Sequence, residues 1–250
     1  MEIWVYPVAI AAGILAGFIN TLAGSGSLIT LPMLMFMGLP APVANGTNRI
    51  GVLFQNVVGM WKFNQKGKLP LKGSAFLMLP TVLGAIAGAM IAVDLDEKTM
   101  HRVIAGIMAL MLVVILFKPE KWLRKDSDPS VKVQSVGNFL ALFAVGAYGG
   151  FIQAGVGIFM LAAMVLGCGF SMVHANAVKL LLVLVFTVPS LVIFALNNQL
   201  HLGLGLLMAV GQGMGAWLAG HFAMENKNAT IWMRRLLIGI IIISIVRLLS

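Results

Sequence analysis

Charge is what this 250-residue sequence has least of. Asp, Glu, Lys and Arg together make up 10% of it, apolar residues make up 60%, and mean hydropathy is +0.99. A soluble domain averages about 25% charged and about 45–50% apolar, so a water-soluble fold is excluded and the chain is an integral membrane protein. A single cysteine, Cys168, rules out an intramolecular disulfide and a cysteine-based metal site. The four histidines are scattered without metal-ligand spacing. No Gly-Lys-Ser/Thr follows the glycine-rich stretches, which excludes a phosphate-binding P-loop, and no cofactor is expected. The eight carboxylates, Glu2, Asp94, Asp96, Glu97, Glu120, Asp126, Asp128 and Glu225, fall at termini or between apolar runs. None is expected inside a span, which argues against the Asp/Glu ion relays of many pumps. The net charge of +9 comes from Lys and Arg gathered mostly at the ends of runs. That is the positive-inside pattern with contacts to anionic lipid, and no nucleic-acid partner is expected. The start, Met1-Glu2-Ile3-Trp4, lacks the basic n-region of a signal peptide, so the first segment is expected to be retained.

What is there is a succession of apolar runs. The first, residues 5–37, exceeds the roughly 20 residues needed to span and is interrupted by Gly24-Ser25-Gly26-Ser27, so two short helices joined at a small-residue turn are expected. Spans over residues 42–61, 73–93 and 99–117 follow. After the charged segment 118–135, which contains Pro129, come runs over 136–153, 157–169, 171–196, 202–222 and 231–249. The second set repeats the first at an offset of about 131. Gly17-Phe18-Ile19-Asn20 lies over Gly150-Phe151-Ile152-Gln153, Gly24-Ser25-Gly26 over Gly155-Val156-Gly157, Ala44-Asn45 over Ala175-Asn176, and Gly84-Ala85 over Gly215-Ala216. The expected architecture is all-α and polytopic. It comprises a first transmembrane repeat (1–117), a cytoplasmic connecting loop (118–135) and a second repeat (136–250), each repeat a broken-helix hairpin plus three transmembrane helices.

Lys62, Lys66, Lys68 and Lys72 place the loop after the second span in the cytoplasm. In the second half the bias reverses, because residues 197–201 have no Lys or Arg while Lys227, Arg234 and Arg235 flank the next turn. The repeats then have inverted topology, an arrangement that puts a substrate site at the midplane between broken helices. The alternative is a parallel repeat, with each broken segment crossing once.

Two cations stand well inside spans: Arg49, about seven residues into its run, and Lys179, about eight into the equivalent one. A charge at the bilayer centre costs at least about 2.5–3.5 kcal/mol. With no carboxylate at comparable depth, the counter-charge is a carbonyl, a lipid phosphate or a passing anion, unless each cation snorkels to the headgroups. Asn45 shares a helix face with Arg49, and Asn176 with Lys179. Thr47, Asn48, Gln55, Asn56 and His174 enlarge the polar inventory. Ser25 or Ser27 is expected to cap the helix after the glycine turn, aiming its N–H groups and positive dipole end at an oxyanion. Asn20 stands before that turn and Gln153 before the second one. Small residues that merely let helices approach closely are the other reading of the turn, as expected for Gly84/Gly88 and Gly211/Gly215. The candidate substrate-binding set is Arg49, Lys179, Asn20, Ser25, Ser27, Asn45, Asn48, Gln153 and Asn176.

The stretch Gly17-Phe18-Ile19-Asn20-Thr21-Leu22-Ala23-Gly24-Ser25-Gly26-Ser27, followed by Leu31-Pro32 and Ala44-Asn45-Gly46-Thr47-Asn48, resembles the sulfite exporter TauE/SafE family of membrane transporters. Gly150-Phe151-Ile152-Gln153-Ala154-Gly155-Val156-Gly157 and His174-Ala175-Asn176-Ala177-Val178-Lys179 look like that family's second-repeat motif. The resemblance covers essentially the whole chain. It implies a duplicated, non-enzymatic carrier in a bacterial inner membrane, whose partners are a small anion such as sulfite or another organosulfur anion and the surrounding lipid. Pairing of two copies is left open. An anion leaving a cell held about 100 mV negative inside gains about 2.3 kcal/mol per charge, so export by alternating access needs no coupling ion. The alternatives are an anion channel, ion-coupled import of a sulfonate, and an intramembrane enzyme using Ser25 or Ser27 with His174.

Overall fold

A computed structural model describes residues 5–65, 74–117, 134–222 and 227–249. Glu2, Glu120, Asp126, Asp128, Glu225 and most of the segment 118–135 lie outside these. The described residues form helices and turns with no strand. The helices are α1 (Val5–Ala23), α2 (Ser27–Phe36), α3 (Ala41–Gln65), α4 (Ser74–Val93), α5 (Glu97–Leu116), α6 (Val136–Phe151), α7 (Val156–Ala162, prolonged by a π turn over Ala163–Gly167), α8 (Met172–Leu196), α9 (Leu202–Phe222) and α10 (Lys227–Leu249). Five of them, α1, α4, α5, α8 and α9, are long and apolar enough to cross a membrane. Their outer faces expose Leu79, Leu83, Leu110, Val113, Val188, Val192, Leu206 and Val210, which is favourable only against lipid. Helix α3 is as long as α8, but Asn45, Thr47, Asn48, Arg49, Gln55 and Asn56 lower its hydropathy, and all six are buried. Asp94 stands between α4 and α5, Asp96 is the N-cap of α5 and Glu97 opens that helix, so these carboxylates sit at helix ends.

The interrupted runs become hairpins. Three residues separate α1 from α2, and Gly24 at the bend has φ +74°, a left-handed conformation that glycine adopts without penalty. Helix α2 folds back along α3, where Asn48 bonds both Ser27 and Thr30. In the second half Gly155 at the bend has φ +73°, and Asn138 at the start of α6 donates to the Gly167 carbonyl at the far end of the returning segment, at 3.0 Å. Two arms joined at one tip and bonded at their far ends form a hairpin.

Glycine governs how the helices meet. A Cβ on Gly84 or Gly88 would overlap the carbonyl oxygens of Phe143 and Ala147, and one on Gly146 or Gly150 those of Thr81 and Ala85. Both sets of contacts advance along both helices together, so α4 and α6 run parallel at close approach. Gly211 and Gly215 meet the Ile10 and Ile14 carbonyls, and Gly17 meets that of Gln212, so α1 and α9 form a second parallel pair. Gly84 and Gly215, which the repeat expected from the sequence would superpose, each meet a backbone carbonyl of the partner helix. Helix α3 runs parallel to α9, from Gly46 against Gln199 to Lys62 against Gly220. Helices α5 and α10 pack at the periphery against α2 and α3.

Asp96 caps α5 by accepting from the Thr99 N–H at 3.1 Å. Hydrogen bonds from the Thr99 side chain, then its backbone, hold the Asp96 carboxyl below the usual aspartate range. A depressed folded-state pKa contributes stability that is present above the unfolded-state pKa and is lost as pH falls through the folded-state pKa. Asp96→Ala is therefore expected to lower the thermal midpoint at neutral pH, with the gap from the parent chain closing on acidification. A gap that stays constant with pH would show that the cap contributes through packing alone.

Candidate functional site

The two hairpin tips meet. The Gly157 N–H donates to the Gly24 carbonyl at 3.1 Å, and a Cβ on either residue would run into the other's backbone. Beside this contact lies a cavity lined by Asn20, Gly24 and Ser27 of the first hairpin, Val52 and Asn56 of α3, Gln153, Val156 and Gly157 of the second hairpin, and Lys179 and Val183 of α8. Every described carboxylate lies elsewhere, at the ends of α4 and α5. The cavity measures about 10 Å³, the room of a single water. A three- or four-oxygen anion enters only if the tips separate.

The buried cations are held by helix ends. An α-helix leaves its last four carbonyls without intrahelical partners, and at the end of α6 all four are accounted for. Tyr148 O accepts from the Ile152 N–H at 2.7 Å, Gly149 O from Arg49 Nη1 at 3.2 Å and Gly150 O from Arg49 Nη2 at 2.6 Å. Phe151 O accepts from Asn45 Nδ2 at 2.8 Å and from Arg49 Nη2 at 3.5 Å. The guanidinium also lies 4.3 Å from the centre of the Phe194 ring. In mirrored fashion the end of α1 is held from α8. Lys179 Nζ donates to Asn20 O at 3.1 Å, and Asn176 Nδ2 donates to Thr21 O at 2.9 Å. Each half thus caps the broken helix of the other, with a cation at the negative end of the helix dipole, where it stabilises by up to about 2 kcal/mol. Arg49 is 0% exposed and Lys179 1%. Neither snorkels, since both charged groups end on protein carbonyls.

Four of the nine residues expected from sequence, Asn20, Ser27, Gln153 and Lys179, line the cavity. The other five stand behind it. Arg49, Asn45 and Asn176 brace the broken helices, and Asn48 ties Ser27 to Thr30. Ser25 is buried with its hydroxyl unpaired. The expectation that Ser25 or Ser27 caps α2 is corrected. No side-chain cap comes from the N-cap residue, Gly26, and the Gly26 N–H is instead satisfied by Asn20 Oδ1 at 3.1 Å. Beyond Ser27, the N–H groups of Leu28, Ile29 and Thr30 bond carbonyls of Ser25 and Gly26. A left-handed bend lets the preceding helix reach over and cap its successor, so these donors are already used. His174 is exposed and sits 3.1 Å from Ser171 at the start of α8, so no serine–histidine pair forms with the buried Ser27. Asn56 and Thr187 were not among the nine. Asn56 carries the helical i, i+4 signal from Asn48 through Val52, whereas Thr187 is joined to Gln153 only by the tertiary fold, at 2.7 Å.

Of Lys179's three N–H donors, one goes to Asn20 and two have no partner among the described residues. Asn56 Oδ1 and Gln153 Oε1 are buried without a hydrogen-bond partner. The cavity therefore offers one cation, hydroxyl and glycine edges, and two unpaired carbonyl oxygens.

The chain is similar to several bacterial proteins named as probable membrane transporters. One from Sinorhizobium, ORF9, is 28% identical over 96% of this chain and 90% of its own length. One from Haemophilus influenzae is 27% identical over 90% of this chain and 87% of its own. YfcA of Escherichia coli is 26% identical over 87% and 80%. No solved structure matches. The family model described as sulfite exporter TauE/SafE matches residues 9–248, which is nearly every residue of the broken helices, their caps and the cavity between them. This multi-pass integral membrane protein belongs to the sulfite exporter TauE/SafE family.

Proposed function

We propose that the protein is a secondary transporter that exports a small sulfur oxyanion or organosulfonate by alternating access, with Lys179 neutralising the anion between the hairpin tips. The observation that carries this reading is a buried cavity with a cation in its wall and no acidic side chain among its lining residues. A carboxylate there would repel an anion, whereas an ammonium with two free donors attracts one. Ser27 Oγ accepts from Asn48, so its own proton is available to a ligand. Arg49 serves this reading as a brace, because its Nη groups bond the carbonyls at the end of α6 and it does not line the cavity.

The arrangement also supports inverted repeats. The basic loop after α3 is cytoplasmic by the positive-inside rule. Helices α1 and α9, parallel to α3, then run inward, while α4 returns outward with α6 parallel to it. The pairs superposed by the repeat, α1 with α6 and α4 with α9, therefore run in opposite senses. The first hairpin enters from outside and the second from inside, with their tips meeting between. Parting one tip at a time exposes the cavity to one side at a time.

Purified protein in liposomes, loaded with labelled sulfite or sulfoacetate, is expected to show saturable efflux and counterflow. Removing one partner of a buried charge interaction costs about 2–5 kcal/mol, so Lys179→Gln is expected to reduce this efflux by about 30-fold or more, with Lys179→Arg retaining part of it. Flux that never saturates would point to a channel, and wild-type rates in Lys179→Gln would remove the lysine from the anion site.

A further inference from the structure

An anion alone does not satisfy this cavity. Asn56 is 1% exposed, and its Nδ2 donates to the Val52 carbonyl of its own helix at 2.7 Å. That bond fixes the orientation of the amide, since a flipped amide would set two oxygens against each other. Asn56 Oδ1 is left unpaired in the cavity wall. Gln153 is 2% exposed and donates to Thr187 Oγ1, which leaves its Oε1 unpaired in the same cavity. A fully deprotonated, donor-free oxyanion bonded to Lys179 would bring its own oxygens toward these two carbonyls. The contacts would be acceptor against acceptor, and a buried acceptor left unmade is penalised.

We propose that the ligand accepted beside Lys179 is an oxyanion that also carries an O–H donor, with the Asn56 and Gln153 carbonyls sharing that one proton. The donor is a hydroxyl rather than an ammonium, because a second cation would share a small buried space with the Lys179 charge. A hydroxyalkanesulfonate and a singly protonated oxyanion such as hydrogensulfite share this chemistry. The proposal rests on the cavity being the anion site. It adds that the site selects by hydrogen-bond donor as well as by charge. It also gives Asn56 a specificity role in a position where Leu would fill the same volume.

Three sulfonates of equal heavy-atom count separate the possibilities: 2-hydroxyethanesulfonate, 2-aminoethanesulfonate and propane-1-sulfonate. Their affinities for the full-length protein in lipid nanodiscs are measured by calorimetry at neutral pH in a sulfonate-free buffer. The hydroxyl compound is expected to bind at least about ten-fold more tightly than the propyl compound, as for sites that discriminate on an unpaired polar group. Asn56→Leu is expected to narrow this preference by weakening the hydroxyl ligand alone, and Asn56→Leu combined with Gln153→Met to bring the two compounds within about two-fold of each other. Gln153→Met provides the same comparison if Asn56→Leu does not fold, and the wild-type ranking stands without either variant. A second arm compares sulfite at a pH where it is singly protonated with sulfite at a pH where it is fully deprotonated, using propane-1-sulfonate to correct for pH effects on the site itself. Tighter binding of the protonated form is expected. Equal affinity for the hydroxyl and propyl compounds overturns the donor requirement and leaves the anion site standing. Preference for the amine replaces the hydroxyl by an ammonium and overturns the proposal. If none of the anions binds, the anion reading itself fails and this one with it.

Discussion

Arg49→Met is expected to destabilise the protein by about 3–5 kcal/mol, since each buried carbonyl left unpaired costs about 1–3 kcal/mol and the cation–π contact adds up to about 2. The substitution removes every partner of the Gly149 and Gly150 carbonyls that the structure provides, and leaves Phe151 O to Asn45 alone. It also removes the contact with Phe194. These groups are shielded from bulk solvent, because Arg49 is fully enclosed. A domain's whole stability is about 5–15 kcal/mol, so the loss is large. It is read as the unfolding midpoint of purified protein in detergent, by near-ultraviolet circular dichroism. Arg49→Lys should recover part of the loss, because one ammonium still serves one or two of the three carbonyls, without the planar fork that reaches them together. The separating result is the effect of ligand. If Arg49 braces α6, adding a saturating sulfonate raises the midpoints of parent and variant by similar amounts. If Arg49 instead holds the anion, the variant's midpoint does not respond and the bracing role is lost.

Gly157→Ala is expected to reduce transport by at least about ten-fold while leaving the helices formed, with a stability loss of about 1–3 kcal/mol, the usual range for overpacking. The added Cβ would overlap the Cα of Gly24. Neither side can yield cheaply, because the obstacle is backbone and the two tips are joined through the Gly157 N–H and the Gly24 carbonyl. The hairpins are pushed apart at the place where the cavity closes. Gly24→Ala meets the same clash and adds left-handed strain at φ +74°, about 1–2 kcal/mol for a residue bearing a Cβ. It should be the worse of the two. Gly106→Ala on α5 is the control, since nothing lies within 4 Å of its added Cβ. There the helix gains from the better former, and transport should be unchanged. Full transport in Gly157→Ala would mean that closure of the tips is not part of the cycle.

Legibility differed by residue. The break at Gly24-Ser25-Gly26-Ser27 was readable because one run was too long for a single crossing and carried a cluster of small residues, and α1 and α2 separate there. Gly84/Gly88 and Gly211/Gly215 were readable as packing glycines from their four-residue spacing, and each pair lies against a neighbouring backbone. The capping of α2 departs from the sequence expectation, because a serine beside a helix start is the usual cap, whereas Asn20 takes the Gly26 N–H once the chain has doubled back. Arg49 and Lys179 were found from their depth in apolar runs. Their partners were invisible, because backbone carbonyls carry no residue identity and those bonded by Arg49 lie about 100 positions away in sequence.

By itself the sequence determined that this chain lives in a membrane, that it is helical, that its long first run breaks at a small-residue turn, and that the charge buried among the described residues is positive. Each of these follows from composition, run length and spacing, because a bilayer admits few ways to satisfy a backbone. Only the tertiary structure decided which polar residues share a cavity and which are consumed as braces. An unpaired helix end inside a membrane protein must find a donor, and whether Arg49, Lys179, Asn45 or Asn176 serves a carbonyl or a ligand depends on which helix terminus the fold brings within about 3 Å, the reach of one hydrogen bond.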